Sequence, residues 1–307
     1  MREVIESCSD CRKTNDRFAD GRHRSAISMT RKGEAMSITT DTIRNRISVR
    51  TFEDRDIDPE TLDQLQAYLN NIENPYNINV SFRLLDAEGD GVSSPVVVNG
   101  KQYVGAKVKK QHHAEEAFGY AFEKFVLYAE SLELGTVWLA ATIDRPAFEK
   151  AMDLESDEVM PVVSPVGYRA QKRSIRETMM RKGMKSDSRL PFGELFFKSD
   201  FATPLKKDEA GRWQTPLEMV RMSPSATNKQ PWRLVIDGDK VHFYEKKTKG
   251  YDRESTGDIQ KVDLGITMCH FEIAAKEQGI DGAFKIENPD ISAPEGTEYI
   301  ITYQMEK

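Results

Sequence analysis

Up to about residue 38 the chain has no sustained apolar period. It is rich in Arg, Lys, Asp and Ser, and is expected to be a flexible extension. From residue 40 the pattern becomes regular. Asp58-Pro59-Glu60 announces a helix: an N-cap acceptor, a proline with preset φ at the first helical position, and an acid in the first turn. Leu62, Leu65, Tyr68 and Leu69 then share one face, and the period breaks at Asn74-Pro75. Val80 to Leu84 alternates as a strand does. Phe118, Ala121, Phe122, Phe125, Tyr128, Ala129 and Leu132 predict a broad-faced helix over 114–133, halted at Leu134-Gly135. Thr136 to Leu139 follows as a buried strand. A short helix from Asp144 and a strand from Met160 to Val166 complete a first half, 39–187, which ends in a charged connection.

The second half, 188–307, replays that order. Thr215-Pro216-Leu217-Glu218 has the form of a capping box with proline at the first helical position, and its helix ends at Ser223-Pro224. A strand from Trp232 to Ile236, a helix over 259–278 ending at Gly279, and a strand from Ala283 to Ile286 follow. Pro75 matches Pro224, Asn79 matches Asn228, Phe82 matches Trp232 and Gly119 matches Gly265, at offsets of 149, 149, 150 and 146. Two successive units of one supersecondary order imply an internal duplication.

Composition then narrows the classes. A net charge of −6 argues against a nucleic-acid or anionic-membrane binder, and no apolar run approaches the ~18 residues of a membrane helix. The opening MREVIESCSDCRK has no apolar segment after its charges, so it is not expected to be a secretory signal. Three cysteines, two of them crowded at Cys8 and Cys11, make no disulfide framework, and a reducing cytoplasm is the expected compartment. The five histidines show no metal-ligand spacing; His112-His113, at a helix start, is expected to be solvated.

Three constellations carry candidate chemistry. In Arg46-Ile47-Ser48-Val49-Arg50 two guanidinium groups and a hydroxyl alternate, so an extended chain presents all three on one side, as a phosphate requires. Ser223-Pro224-Ser225-Ala226-Thr227-Asn228-Lys229-Gln230-Pro231-Trp232 combines small residues, which admit a flat ligand, with amides that donate and accept. The third pairs Leu134 to Ala141, where Ala140 and Ala141 leave backbone N–H groups accessible, with Gly167-Tyr168 and the following Lys172-Arg173. There is no Gly-x-Ser-x-Gly, no Walker loop and no Gly-x-Gly-x-x-Gly after a strand. Anion-binding residues without a nucleophile or base point to a cofactor that performs the reaction.

These motifs together resemble the flavin-dependent nitroreductase superfamily, in its thermotogal-type branch, over residues 40 to 305. The resemblance implies an α+β fold, a mainly antiparallel sheet flanked by helices, with flavin sites built where two subunits interlock. It implies that Arg46, Ser48 and Arg50 hold FMN, with Lys172 and Arg173 completing the phosphate pocket. It sets the backbone N–H groups of Ala140 and Ala141 against flavin N5 and O4, and makes Pro224, Ser225, Ala226 and Asn228 the opposite wall. No protein side chain is then the catalytic residue. NADH or NADPH would deliver hydride through N5 to an electron-poor small molecule of nitroaromatic or quinone type; a flavin-binding or storage protein without turnover is the alternative. Two departures bear on stoichiometry. The first half carries Asn74-Pro75-Tyr76-Asn77, with tyrosine in place of the small serine, and the second half puts Glu194 where the second arginine would stand. Each half keeps one part of a site, so the chain is expected to be a monomeric imitation of the family dimer, pseudo-twofold, with one working pocket.

Overall fold

Asp58 caps its helix as the sequence predicts, accepting the Thr61 N–H at 3.0 Å with Pro59 in the first turn. The computed structural model describes residues 37–171 and 188–306, which lie in one unit, Met36–Lys307. Cys8, Cys11, Lys172 and Arg173 fall outside the described residues. In chain order the elements are α1 (Thr40–Asn45), α2 (Pro59–Leu69), β1 (Val80–Asp86), β2 (Gln102–Lys109), α3 (Ala114–Ser131), β3 (Leu134–Thr136), α4 (Arg145–Ala151), β4 (Glu158–Val159) and β5 (Val163–Tyr168). The second half supplies α5 (Phe192–Leu195), β6 (Phe196–Lys198), α6 (Gln214–Met222), β7 (Trp232–Asp237), β8 (Lys240–Lys246), β9 (Asp252–Arg253), β10 (Gly257–Asp258), α7 (Ile259–Glu277), β11 (Gly282–Lys285) and β12 (Thr297–Met305).

Among the described residues the strands form two five-stranded sheets and a two-stranded antiparallel pair, β9 with β10. One runs β1-β2-β5-β3 with β4 added to β2, the other β11-β12-β8-β7-β6. Every pairing within the five-stranded sheets is antiparallel except β6 with β7. The two sheets share a pattern: β7-β8-β12-β11 repeats β1-β2-β5-β3 strand for strand. This is an α+β fold.

Between the sheets lie α3 and α7, buried on nearly every face, which is why their apolar residues run almost all the way round. They cross at two glycines. A Cβ on Gly119 would stand 2.0 Å from the Val262 carbonyl oxygen, and a Cβ on Gly265 would stand 2.1 Å from the Glu116 carbonyl oxygen. Each glycine thus meets the residue three positions before the other. Trp213, Phe243, Phe271 and Tyr303 form the aromatic centre of the second core; Phe118, Phe122 and Phe125 fill the first. No helix among the described residues is long and apolar enough to cross a membrane.

Several expected elements shift. The strand expected at Thr136–Leu139 ends at Thr136, because the Val137 N–H turns to the Ser164 hydroxyl and only Leu139 pairs again, with Val163. The strand expected from Met160 begins at Val163, since the carbonyls of Met160 and Pro161 accept from Arg145. The capping box at Thr215 does not form. A 3-10 turn at Gly211–Trp213 runs into the helix and buries Trp213, so Thr215 lies inside the first turn. His112 is exposed, but His113 is mostly buried, stacked on Tyr76 and 3.2 Å from Glu116.

Glu245 on β8 is fully buried, and neither carboxylate oxygen has a hydrogen-bond partner among the described residues. Burial, then the charge of Asp258, pushes its pKa up to about 8. An unfolded glutamate ionises near ~4.3. Its contribution to stability is therefore fullest below that value and is lost as pH rises toward 8. Glu245→Gln is expected to stabilise the protein by about 4–5 kcal/mol at pH 8 and by little near pH 4.5. Thermal melts across that range check this; a gain that does not grow with pH would mean that Glu245 is ionised throughout.

Candidate active site

The chain leaves α1 at Arg46 and becomes extended. Ser48 bridges Thr136 in parallel, the Val49 N–H donates to the Thr136 carbonyl at 2.9 Å, and Val49 and Phe52 are buried. This close seat needs Gly135, where a Cβ would stand 2.8 Å from the Val49 side chain. The alternate residues Arg46, Ser48 and Arg50 then face a cavity of about 580 Å³, joined there by Ile47.

The opposite wall is the loop after α6, and Pro224, Ser225, Ala226 and Asn228 all line it. The loop is fixed by its own groups. Ser225 Oγ accepts the Gln230 N–H at 2.9 Å, the Ala226 N–H reaches both Asp263 oxygens at 3.1 Å, and Gln230 Oε1 accepts the Leu190 N–H at 2.9 Å. Thr227, Asn228 and Gln230 all hold positive φ, 48°, 58° and 52°. That is unfavourable for a β-branched threonine and marks a loop held in shape by its surroundings.

The floor is Val137 to Thr142, past the early end of β3, and the last side is the α7 face of Ile259, Val262, Asp263 and Ile266. Ala140 and Ala141 line the cavity, and among the described residues their backbone N–H groups donate to no protein acceptor. Every site residue expected from the sequence within the described residues therefore faces one space; Lys172 and Arg173 lie outside them.

The cavity is basic. Arg44, Arg46, Arg50 and Arg189 line it, against one carboxyl group, Asp263. The Arg46 side chain is mostly buried, and among the described residues its Nε and Nη1 find no hydrogen-bond partner; Glu123 Oε1 lies 3.9 Å from Nε. Such donors, if left without an acceptor, cost about 1–3 kcal/mol each, so the geometry favours an anion.

Sequence reasoning missed the residues beneath the walls. Glu123 on α3 is fully buried. It accepts from Trp138 Nε1 at 3.1 Å and lies 2.8 Å from His270 Nε2 on α7. His270 Nδ1 stands 3.1 Å from the Met219 carbonyl and 3.0 Å from Ser223 Oγ, where the Pro-Ser loop begins. One buried network thus ties Arg46, the Trp138 floor and the loop together. Asp263 was missed as well. Burial, with Asp258 and Glu245 adding repulsion, holds its carboxyl well above the usual carboxylate range. The available signal was an acid inside an apolar run, Val262-Asp263-Leu264-Gly265-Ile266.

Among curated proteins, none matches the chain. A putative nitroreductase from Thermotoga maritima is 19% identical and superposes with a TM-score of 0.58, over 92% of this chain and 98% of that one. An FMN-dependent nitroreductase from Clostridium difficile R20291 is 14% identical over 47% of this chain and 96% of that one, with a TM-score of 0.38. Iodotyrosine deiodinase, solved with FMN and 3-iodo-L-tyrosine, is 18% identical over 44% and 91%, with a TM-score of 0.37. Residues 38–275 match the family described as "Putative TM nitroreductase". With its sheets in the nitroreductase arrangement and most of its length inside that family, the chain belongs to the Thermotoga-type nitroreductases, a family of oxidoreductases.

Proposed function

We propose that the cavity binds one FMN per chain and that the protein is a cytoplasmic, monomeric oxidoreductase. It would take hydride from NADH or NADPH and deliver it to an electron-poor small molecule such as a nitroaromatic or a quinone. The observation that carries this reading is the meeting of 46–50 with 224–228 across one cavity, although some 175 residues separate them in the chain.

The residues fit such a group in three respects. The volume lies within the ~300–1,000 Å³ of cofactor sites. The Arg46 donors that lack a hydrogen-bond acceptor among the described residues suit a phosphate or a pyrimidine edge. The N–H groups of Ala140 and Ala141, which donate to no acceptor among the described residues, suit acceptors on a flat ring. Hydride acceptance and return at N5 is the chemistry the flavin supplies when bound. The chain's part is to hold the phosphate, ribityl chain and pyrimidine edge with Arg46, Ser48 and Arg50, with Lys172 and Arg173 completing the phosphate pocket, and to present N–H donors to one edge of the ring. Arg50, near the pyrimidine, would offset the negative charge of the reduced ring. The small residues Pro224, Ser225 and Ala226 keep a face open for donor and acceptor.

A single site per chain follows from reading the halves as duplicated units that imitate a dimer. The repeated strand order and the reciprocal glycine crossing support that reading. At the position matching Ser225, the larger Tyr76 packs against the core, its ring 4.7 Å from His113 and its hydroxyl on Met268, which supports a single pocket. Titrating apo-protein with FMN is expected to saturate at one equivalent. Two equivalents would overturn the single pocket, and no uptake would overturn the flavin reading. Steady-state oxidation of NADH or NADPH with nitroaromatic and quinone acceptors then tests turnover.

A further inference from the structure

Arg145 is the first residue of α4, where a cation opposes the helix dipole and gains nothing from it. Its guanidinium nevertheless turns inward, largely buried, and reaches four backbone carbonyls: Ala140 at 2.8 Å, Met160 at 2.8 Å, Ser255 at 3.2 Å and Pro161 at 3.3 Å. Glu149 Oε1, one turn along, lies 3.7 Å away. Burying a guanidinium is costly unless its donors are satisfied, and here the fork is spent almost wholly on main-chain oxygens. A long, always-charged side chain used this way fixes peptide planes.

The plane that matters is Ala140–Ala141. There is no cis peptide bond among the described residues. In a planar trans peptide the carbonyl and the following N–H point in opposite directions. Arg145 holds the Ala140 carbonyl on its own side, and neither Arg145 nor its other acceptors Met160, Pro161 and Ser255 line the cavity, whereas Ala140 and Ala141 do. We propose that Arg145 is a positioning residue that locks the Ala140–Ala141 peptide with the Ala141 N–H aimed into the cavity, at the ring atom that exchanges hydride. Ser255 belongs to the β9–β10 turn, so the same guanidinium also fastens that turn of the second half to the floor supplied by the first.

This inference rests on the flavin reading for its consequence, but not for its geometry. Flavin N5 is a bare acceptor in the oxidised ring and carries its own hydrogen once reduced. A fixed N–H aimed at it therefore favours the oxidised form. Arg145→Ala frees the peptide and should weaken oxidised FMN about tenfold while changing affinity for reduced FMN less than threefold. A tenfold change in that ratio is about 30 mV for a two-electron couple. Arg145→Lys should behave like the alanine variant, because one ammonium cannot hold four carbonyls in place. In apo-protein the amide 15N resonance of Ala141 should move in both variants, since it responds to the bond on the preceding carbonyl. Equal weakening of both redox forms, or lysine restoring the wild-type ratio, would overturn the proposal, as would an unmoved Ala141 resonance. Wild-type protein that takes up no FMN would instead count against the flavin reading, with the apo resonance still deciding the peptide lock.

Discussion

Arg46→Met is expected to lower FMN affinity at least a hundredfold while leaving the apo-protein as stable as before, or more stable. Arg46 is mostly buried, with Nε and Nη1 lacking a hydrogen-bond partner among the described residues, and its 3.9 Å ion pair with Glu123 is too long for a hydrogen bond. Without a ligand those donors are a standing cost of about 1–3 kcal/mol each, and a methionine of similar length removes it. Glu123 is not stranded by the change, because Trp138 and His270 still contact its two oxygens. With ligand bound the sign reverses. Hydrogen bonds to a charged group contribute about 1.5–3 kcal/mol each, so losing two exceeds the ~1.4 kcal/mol per tenfold needed for a hundredfold loss. Fluorescence titration with FMN and denaturation of apo-protein give both numbers. A variant that loses several kcal/mol of stability and keeps its affinity would make Arg46 the structural counter-ion of Glu123.

The site's walls were legible because their chemistry is local. Arg46-x-Ser48-x-Arg50 alternates wherever the chain is extended, and Ser225 closes its own loop onto Gln230. The fold was legible for a related reason: the cap at Asp58 and the stop at Gly279 each act on their own element. What escaped is chemistry between distant residues. Glu123 and His270 are 147 positions apart, and nothing in either neighbourhood names the other. Arg145 looks like any cation on a short surface helix until its four carbonyl partners are placed. The same residue explains the misread strand start, since the oxygens of Met160 and Pro161 that would enter a ladder are bound to it. Thr215 has the letters of a capping box but not the geometry, because burial of Trp213 draws the preceding turn into the helix.

Gly119→Ala and Gly265→Ala are each expected to destabilise the protein by about 3 kcal/mol or more, to similar extents. Alanine is favoured over glycine inside a helix by about 1 kcal/mol, so any loss is net of that gain. The loss arises at the crossing of α3 and α7, where a Cβ would stand 2.0 Å from the Val262 oxygen in one case and 2.1 Å from the Glu116 oxygen in the other. The obstacle is backbone, which cannot rotate away, so the helices must separate. Core overpacking that side chains absorb costs about 1–3 kcal/mol, and here they cannot absorb it. Against a total stability of about 5–15 kcal/mol, either change is large. Because both methyl groups would force the same separation, the double variant should cost less than the sum of the singles. Urea denaturation of the three variants supplies the comparison. A tolerated alanine at one glycine beside a damaging one at the other would break the reciprocity on which the duplicated, pseudo-twofold reading rests. The same separation moves the cavity wall, since Val262 and Asp263 lie on α7 just before Gly265 and both line the cavity. FMN affinity should therefore fall in the glycine variants even where enough fold survives to measure it.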